Sequence, residues 1–529
     1  MRPYYLLSIL GFCCWQLSAQ TGMPGYHPAN TIFFEEMTGI FSETPNNLPF
    51  IPVRDYTASS LSYKKTDGLF KLGAEPEAIK TFGVSTEGIY RDSLGLLFFG
   101  DFSIEKTYYD RLRWNLSYTL PDEGIMPDPH YFGVSKPGDW SNQRYRVTGG
   151  ILYPVPNKPL TLLARVAYTL ENRFRTNLDP RPKITYNDLE FTAGANYEIT
   201  KGHFVKAHFF YGYTNVDNEI TFSNNEQNQI ANFDIYVRWV AGYGSLISPF
   251  SNNTQRNHTT YGGSIGYAYS TYKNRILIDA SIRNREQITF RNNSVEDEDD
   301  PANFFGTYEP VEFQVQSTWF HFINDHSLWR AQVEAFYMEG SNFLTSKAGK
   351  TYAAERSRIR ASFAYLQQNT RGRTEWDMGG DLTYHRLWQR DALAGVLGET
   401  QNLGLEAYIL KGFTANKNLH IGPLLRVAGN LNLQENFINS NAGFLESVEP
   451  DDFPGLALQR YYNEVLIPDM AYLSSDTISA HAGINLDFST SRNIQIQVAL
   501  RTGALFPLGD FMDVHTRRLD HSLTLRLFY

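Results

Sequence analysis

Cysteine is all but missing from this chain. Its two copies, Cys13 and Cys14, fall inside an N-terminal stretch that reads as an address. Arg2 gives a positive start, Tyr4 to Trp15 an almost uninterrupted apolar run, and Leu17-Ser18-Ala19 a small-residue cleavage site before Gln20. The run is shorter than the roughly 20 apolar residues of a membrane-spanning helix, so residues 1–19 are expected to be a cleaved signal peptide rather than a retained anchor. Leu10-Gly11-Phe12-Cys13 is a poor lipoprotein box. Removing the segment leaves no disulfide framework, no thiolate metal site and no cysteine nucleophile.

Other absences narrow the field. Beyond Trp15 no apolar run reaches helical spanning length, and no linker, low-complexity block or solenoid repeat divides the 529 residues. Basic charge is short: 47 Lys and Arg against 56 Asp and Glu give −9, or about −10 without Arg2. That argues against nucleic acid, whose phosphates need a basic surface. The 12 His are scattered, with no metalloprotease helix motif and no nucleophile elbow. No enzyme, cofactor or bound metal is expected. A barrel-mouth hydrolase built on His385 near Asp377 and Asp381 is the remote exception; an ordinary lumen or interfacial histidine is the plainer reading.

What is present is alternation. Aromatics reach 15% while mean hydropathy is −0.37, the combination expected when lipid-facing and lumen-facing residues alternate and cancel in any window. Leu160, Leu162, Ala164, Val166, Tyr168 and Leu170 share one face against Thr161, Arg165, Thr169 and Glu171. Ile276 to Arg283, Trp329 to Tyr337, Glu375 to His385 and Ile494 to Arg501 repeat the pattern over lengths that let a tilted strand cross a bilayer. Tight turns are expected near Tyr109-Asp110, Asn157-Lys158, Thr200-Lys201-Gly202, Tyr272-Lys273, Asn324-Asp325, Asn369-Thr370, Ala415-Asn416 and Ser491-Arg492. Long connections are expected over 120–141, 173–184, 215–258, 290–305 and 432–475, with Phe233 to Gly244 a hairpin arm outside the wall.

The expectation is therefore an all-β antiparallel transmembrane β-barrel of about 18 strands, 16–20 being compatible, with short periplasmic turns and long extracellular loops. The barrel is placed at 81–529, behind a periplasmic or lumen-resident plug-like segment at 20–80 in which Tyr56 to Lys64 could pair as a strand. In the last strand Leu519, His521, Leu523, Leu525, Leu527 and Tyr529 share a face. Leu523, Leu525, Leu527 and Tyr529 resemble the C-terminal signal by which outer-membrane barrels are inserted. That implies the cell outer membrane as location, and its lipid and the barrel-assembly machinery as partners.

Local motifs support the same placement. The Gly100 to Trp114 stretch (read as a hairpin), Tyr145-Arg146-Val147-Thr148-Gly149-Gly150, Asp179-Pro180-Arg181-Pro182 and Gly194-Ala195-Asn196-Tyr197 together resemble an uncharacterised family of Bacteroidota outer-membrane barrel proteins. The resemblance implies a barrel of unknown cargo, in a phylum whose barrels often serve nutrient uptake, and no catalytic residues.

Charges on the inward face are the candidate functional residues: Arg165, Asp279, Arg283, Arg330, Glu334, Arg360, Asp381, Glu406, Arg426, Asp487 and Arg501. They are costly in lipid and natural in water. They make either a polar conduit or a salt-bridged network filling a closed barrel, and a width of 18 strands favours the conduit. Asp179 to Pro182 reads as a rigid turn. Glu296 to Asp300 is a solvated acidic run, or less plausibly a cation site. Phe444, Phe453, Tyr461, Tyr462 and Tyr472, with Glu446, Glu449, Asp451 and Asp452, either grip a ligand or partner or fold a loop down as a cap. Two functions remain: a conduit or uptake barrel with an open lumen, or a closed scaffold whose loops dock surface lipoproteins or other outer-membrane proteins.

Overall fold

A computed structural model describes residues 32–35, 44–53, 55–176, 178–224, 226, 228–232, 234–247, 253–291, 303–489, 494–512 and 516–529. Its wall is one closed antiparallel barrel of 18 strands. They are β1 (Tyr56–Gly68), β2 (Ala78–Arg91), β3 (Leu97–Leu112), β4 (Gly138–Pro154), β5 (Leu160–Thr176), β6 (Arg181–Thr200), β7 (His203–Thr221), β8 (Asn253–Ser270) and β9 (Asn274–Phe290). The circuit continues through β10 (Phe304–Asn324), β11 (Ser327–Leu344), β12 (Tyr352–Gln368), β13 (Thr374–Asp391), β14 (Val396–Lys411, prolonged by Phe413–Thr414), β15 (Leu419–Asn439), β16 (Thr477–Ser489), β17 (Gln495–Pro507) and β18 (Arg518–Phe528). β1 pairs with β18, Leu61 opposite Leu525, so the wall has no free edge for another strand to join.

Period-two alternation decides which face meets what. Ile265 is 70% exposed and Leu405 64%, whereas Lys206 and Arg330 are 1% exposed. An apolar belt outside and charge inside suit lipid around the wall and a polar lumen within it. No helix among the described residues is long and apolar enough to cross a membrane.

Two readings at the N-terminal end need correction. The wall begins at Tyr56, not near Thr81, because Tyr56–Gly68 pairs along both edges. Tyr109-Asp110 is no turn: Gly100 to Trp114 is not a hairpin, and β3 pairs with β2 and β4 through that region. The real short turn is 92–96, where Asp92 Oδ1 accepts from the amides of Leu94 (2.9 Å) and Leu96 (2.7 Å) and Gly95 takes φ +82°. The two errors offset in the strand count. The turns expected from Asn157-Lys158 through Ala415-Asn416 do join neighbouring strands, all at one end of the barrel; Ser491-Arg492 lies outside the described residues. At the other end 173–184 is no long connection, since β5 runs to Thr176 and β6 starts at Arg181.

Along its axis the barrel is filled in layers. At the short-turn end residues 32–35 and 44–53 contribute Phe33, Leu48, Phe50, Ile51 and Val53 to an apolar layer with Leu152, Leu163, Phe320, Leu328 and Leu366 of the wall. At the long-loop end three connections fold inward. The β3–β4 loop supplies Trp114, Leu116 and the strand His130–Gly133; the β7–β8 loop supplies Arg238–Ala241, which pairs with it in a small separate sheet. The β15–β16 loop forms α1 (Phe453–Tyr461), a π turn and α2 (Ile467–Leu473). Tyr461 and Tyr462 are buried in this layer and Tyr472 packs on Phe70, so these three tyrosines belong to a cap, whereas Phe444 is exposed. Polar groups lie between the two apolar layers.

Candidate functional site

The lower filling is a strap, described at 32–35 and 44–53, held inside the lumen by side chains of two groups of wall strands. On one side the amides of Ile32 and Phe33 donate to Asp377 Oδ2 (2.6 and 3.0 Å), Arg501 grips Glu35 with two bonds (2.8 and 2.9 Å), and Arg330 donates to the Phe33 carbonyl (3.1 Å). On the other, Asn46 Nδ2 donates to the Ala207 carbonyl (2.9 Å) and Asn196 to that of Asn46 (3.0 Å). Deeper still, Lys206 Nζ lies 2.7 Å from Asp279 Oδ1, with exposures of 1% and 7% for the two side chains. Asn47 joins them, donating to Asp279 Oδ2 (2.8 Å) and accepting from Lys206. Neither buried charge is left without partners, the condition for tolerating an ion pair out of water.

The cap is tied down as thoroughly. Arg256 and Asp128, at 0% and 1% side-chain exposure, pair at 2.9 Å. Arg256 also donates to the His130 carbonyl (2.6 Å), and Asp128 accepts the His130 amide (2.9 Å). Burial raises the Asp128 carboxyl, opposed by Arg256, and holds His130 down at about 3, so that ring is neutral. Asp391 takes the amides of Tyr243 (3.0 Å) and Ser245 (3.1 Å) and the Ser245 hydroxyl (2.8 Å), anchoring the β7–β8 loop to the wall. In α2, Asp469 accepts the Gly73 amide at 2.6 Å. Burial pushes its carboxyl up to about 7, reinforced by Glu75 and opposed by the Gly73 amide and Lys71.

That carboxyl makes the docking of α2 depend on pH. A folded-state value above the ordinary carboxylate range means the docked helix favours the protonated acid. Its contribution is complete below about pH 4, the undocked value, and is lost as pH rises through about 7. Lys71, lowered by burial to about 8, acts in a higher window. Hydrogen exchange of α2 is expected to be several-fold faster at pH 7.5 than at pH 5.5 after correction for intrinsic rates. Asp469→Asn should abolish the difference; a difference that survives the substitution would refute this assignment.

Between strap and cap lies a chamber of about 340 Å³, lined by Thr44 of the strap, by Asp122 and Glu123 of the cap, and by His208, Phe210, Ser281, Arg283, Arg285, Glu312, Gln314, Phe336, Arg356 and Arg358 of the wall. Arg356 and Arg358 lie over the Phe336 ring (5.1 and 5.6 Å) and Arg283 over Phe210 (4.4 Å). The rings fix the guanidiniums and leave their forks for carboxylates.

Ten of the eleven charges read from the sequence alternate with an exposed apolar neighbour, and Arg330 lies between the half-buried Trp329 and Ala331, but only Arg283 lines the chamber. Asp279, Arg330 and Arg501 hold the strap. Arg165 and Arg283 share Glu190 (2.8 and 3.3 Å), and Glu334 pairs with Arg358 (2.9 Å). Arg360–Asp381 (2.8 Å) and Arg426–Glu406 (3.1 Å) are pairs along the wall, and Asp487 is buried opposite His420 in register. His385 lies 3.6 Å from Glu123; Asp377 is engaged at the strap instead. Arg181 is a half-exposed residue paired with Asp179 in the β5–β6 turn. The run 296–300 lies outside the described residues. The reading missed Arg356 and Arg358, although Arg356, Arg358 and Arg360 occupy alternate positions of one strand and so share its inward face. Nothing in the sequence signals that Asp122 and Glu123 turn into the barrel.

Wall, strap and cap together define a transmembrane β-barrel with side chains filling its lumen. Within that class, the chain belongs to DUF6850, a family of unknown function, matched over residues 45–529. Among solved structures it is similar to the ferric preacinetobactin receptor BauA of Acinetobacter baumannii (6% identity, TM-score 0.38, covering 89% of this chain and 80% of that one). It is likewise similar to the FrpB iron transporter of Neisseria meningitidis (8%, 0.38, 89% and 81%) and to the ferric-catecholate import receptor Fiu of Escherichia coli (8%, 0.38, 90% and 82%). No functionally curated protein matches the chain.

Proposed function

We propose that this protein is a gated conduit of the outer membrane, the barrel component of an uptake system, with its long loops outside the cell and its short turns in the periplasm. One observation carries the reading: the described strap residues, 32–35 and 44–53, sit inside the lumen on hydrogen bonds and ion pairs and are not strands of the wall. Such a segment can leave without opening the barrel, whereas an open-pore reading has no use for it. The reading assigns no catalytic step.

Conductance in a planar bilayer tests this, comparing the mature protein with a form lacking residues 20–53. Quiet membranes from the first and stable steps from the second are expected. Occupation of the lumen at both ends is also what a closed scaffold for lipoproteins or other outer-membrane proteins would have, so silence from both forms would transfer the assignment to that role. Open steps from the intact protein would instead rule out the strap as the plug.

A further inference from the structure

The chamber carries a second message, in how its arginines are occupied. Asp122 and Glu123 come from the cap, on a two-residue hairpin closed by Asp122 and Ile125 (N–O distances 2.8 and 3.0 Å). Glu123 has φ +47° and Gly124 φ +91°. A turn with both central residues left-handed suits Asn, Asp or Gly and is strained for glutamate. The strained side chain is the one that reaches both arginines. Arg356 lies 2.8 Å from Asp122 Oδ2 and 3.3 Å from Glu123 Oε2, and Arg358 lies 3.0 Å from Glu123 Oε1. The Nε atoms of both arginines are buried with no hydrogen-bond acceptor among the described residues. Arg285 reaches Glu312 only at 4.0 Å.

Charge balance gives the hairpin's carboxylates a specific meaning. The wall brings Arg165, Arg283, Arg285, Arg356 and Arg358 together with Glu190, Glu312 and Glu334, an excess of two positive charges. With the hairpin in place that excess is neutralised. We infer that the chamber is a binding site for a small polyanion, and that Asp122 and Glu123 are its built-in stand-ins, displaced when a solute carrying two or more carboxylate or phosphate groups enters. Guanidinium forks seated on aromatic rings recognise both oxyanions, and the volume is that of a small-solute pocket. This deepens the conduit reading: the anion that fills the chamber also removes the contacts holding the cap hairpin inside.

The site and the conduit fail separately. Binding is measured by calorimetry on the intact detergent-purified barrel at fixed ionic strength, with citrate and pyrophosphate as probes and glucose and spermidine as controls. Asp122→Asn with Glu123→Gln empties the arginines, and this variant is expected to bind one or both anions at least tenfold more tightly than the parent, and neither control. Arg356→Gln with Arg358→Gln should lose at least tenfold. Arg358→Lys keeps the charge without the fork and should lose less, which separates recognition from misfolding. The stronger probe tells carboxylate from phosphate cargo. No anion binding by the emptied variant, or weaker binding than the parent, overturns the site. Channel steps after strap removal without anion binding would leave the conduit standing and the site refuted; binding without steps would do the reverse.

Discussion

Asp128→Ala is expected to release the β3–β4 loop from the barrel mouth while leaving the wall closed. The substitution strands Arg256, whose side chain is 0% exposed, in a layer built from Trp239, Phe132 and Phe305. Removing one partner of a buried ion pair costs about 3–5 kcal/mol, because the remaining charge stays desolvated. The cost falls on the cap. β8 is paired along its length with β7 and β9, and Arg256 escapes desolvation if water enters as the loop leaves. Hydrogen exchange over residues 113–137 should accelerate by about two to three orders of magnitude, with exchange in β8 little changed. Replacing both partners, Asp128→Leu with Arg256→Met, should restore most of the protection, since an apolar pair of similar volume needs no compensation. Unaltered exchange in the single variant would show that the pair does not hold the cap.

Asp279→Ala is the corresponding experiment at the other end. It leaves the Lys206 ammonium, 1% exposed, with Asn47 as its remaining near partner, and takes from Asn47 the carboxylate it donates to. Loosening of the strap by about 3–5 kcal/mol is expected. It would be read as faster exchange over residues 44–53 and as intermittent channel openings that the parent lacks. Asp381→Asn is the control on the same inward surface. Its partner Arg360 has a 36% exposed side chain, and so watery a pair contributes about 0–1 kcal/mol. Equal effects from the two substitutions would mean that inward charge in general, and not the strap contact, keeps the channel shut.

These contrasts mark what could be read in the sequence. The inward or outward assignment of each charged residue followed from period-two alternation alone, since adjacent side chains of a strand must point to opposite faces. Arg360 and Asp279 are equally legible in that sense. Their roles are not, because burial differs between them and depends on whether the strap covers them. The turns at Asn157-Lys158 and Lys201-Gly202 were visible as polar breaks between alternating stretches. The turn at 92–96 was obscured by Leu94 and Leu96, and the polar Tyr109-Asp110 took its place. β1 was legible as a possible strand at Tyr56 to Lys64 but was left outside the wall for a related reason. Ser59, Ser60, Ser62, Lys64 and Lys65 give it a weak apolar face, and its place in the wall is fixed by register against β2 and β18.

The sequence by itself determined the barrel: local alternation, repeated past the length of a membrane crossing, is information carried by each strand separately. The tertiary structure alone decided what the lumen contains. Whether residues 32–35 and 44–53 stay below the barrel or enter it, and whether Asp122-Glu123 faces solvent or Arg356 and Arg358, depends on partners hundreds of residues apart, such as Ile32 with Asp377 or Glu35 with Arg501. Such contacts form because a charge inside the barrel must find its opposite there or remain unpaired out of water, and no local pattern records which one it finds.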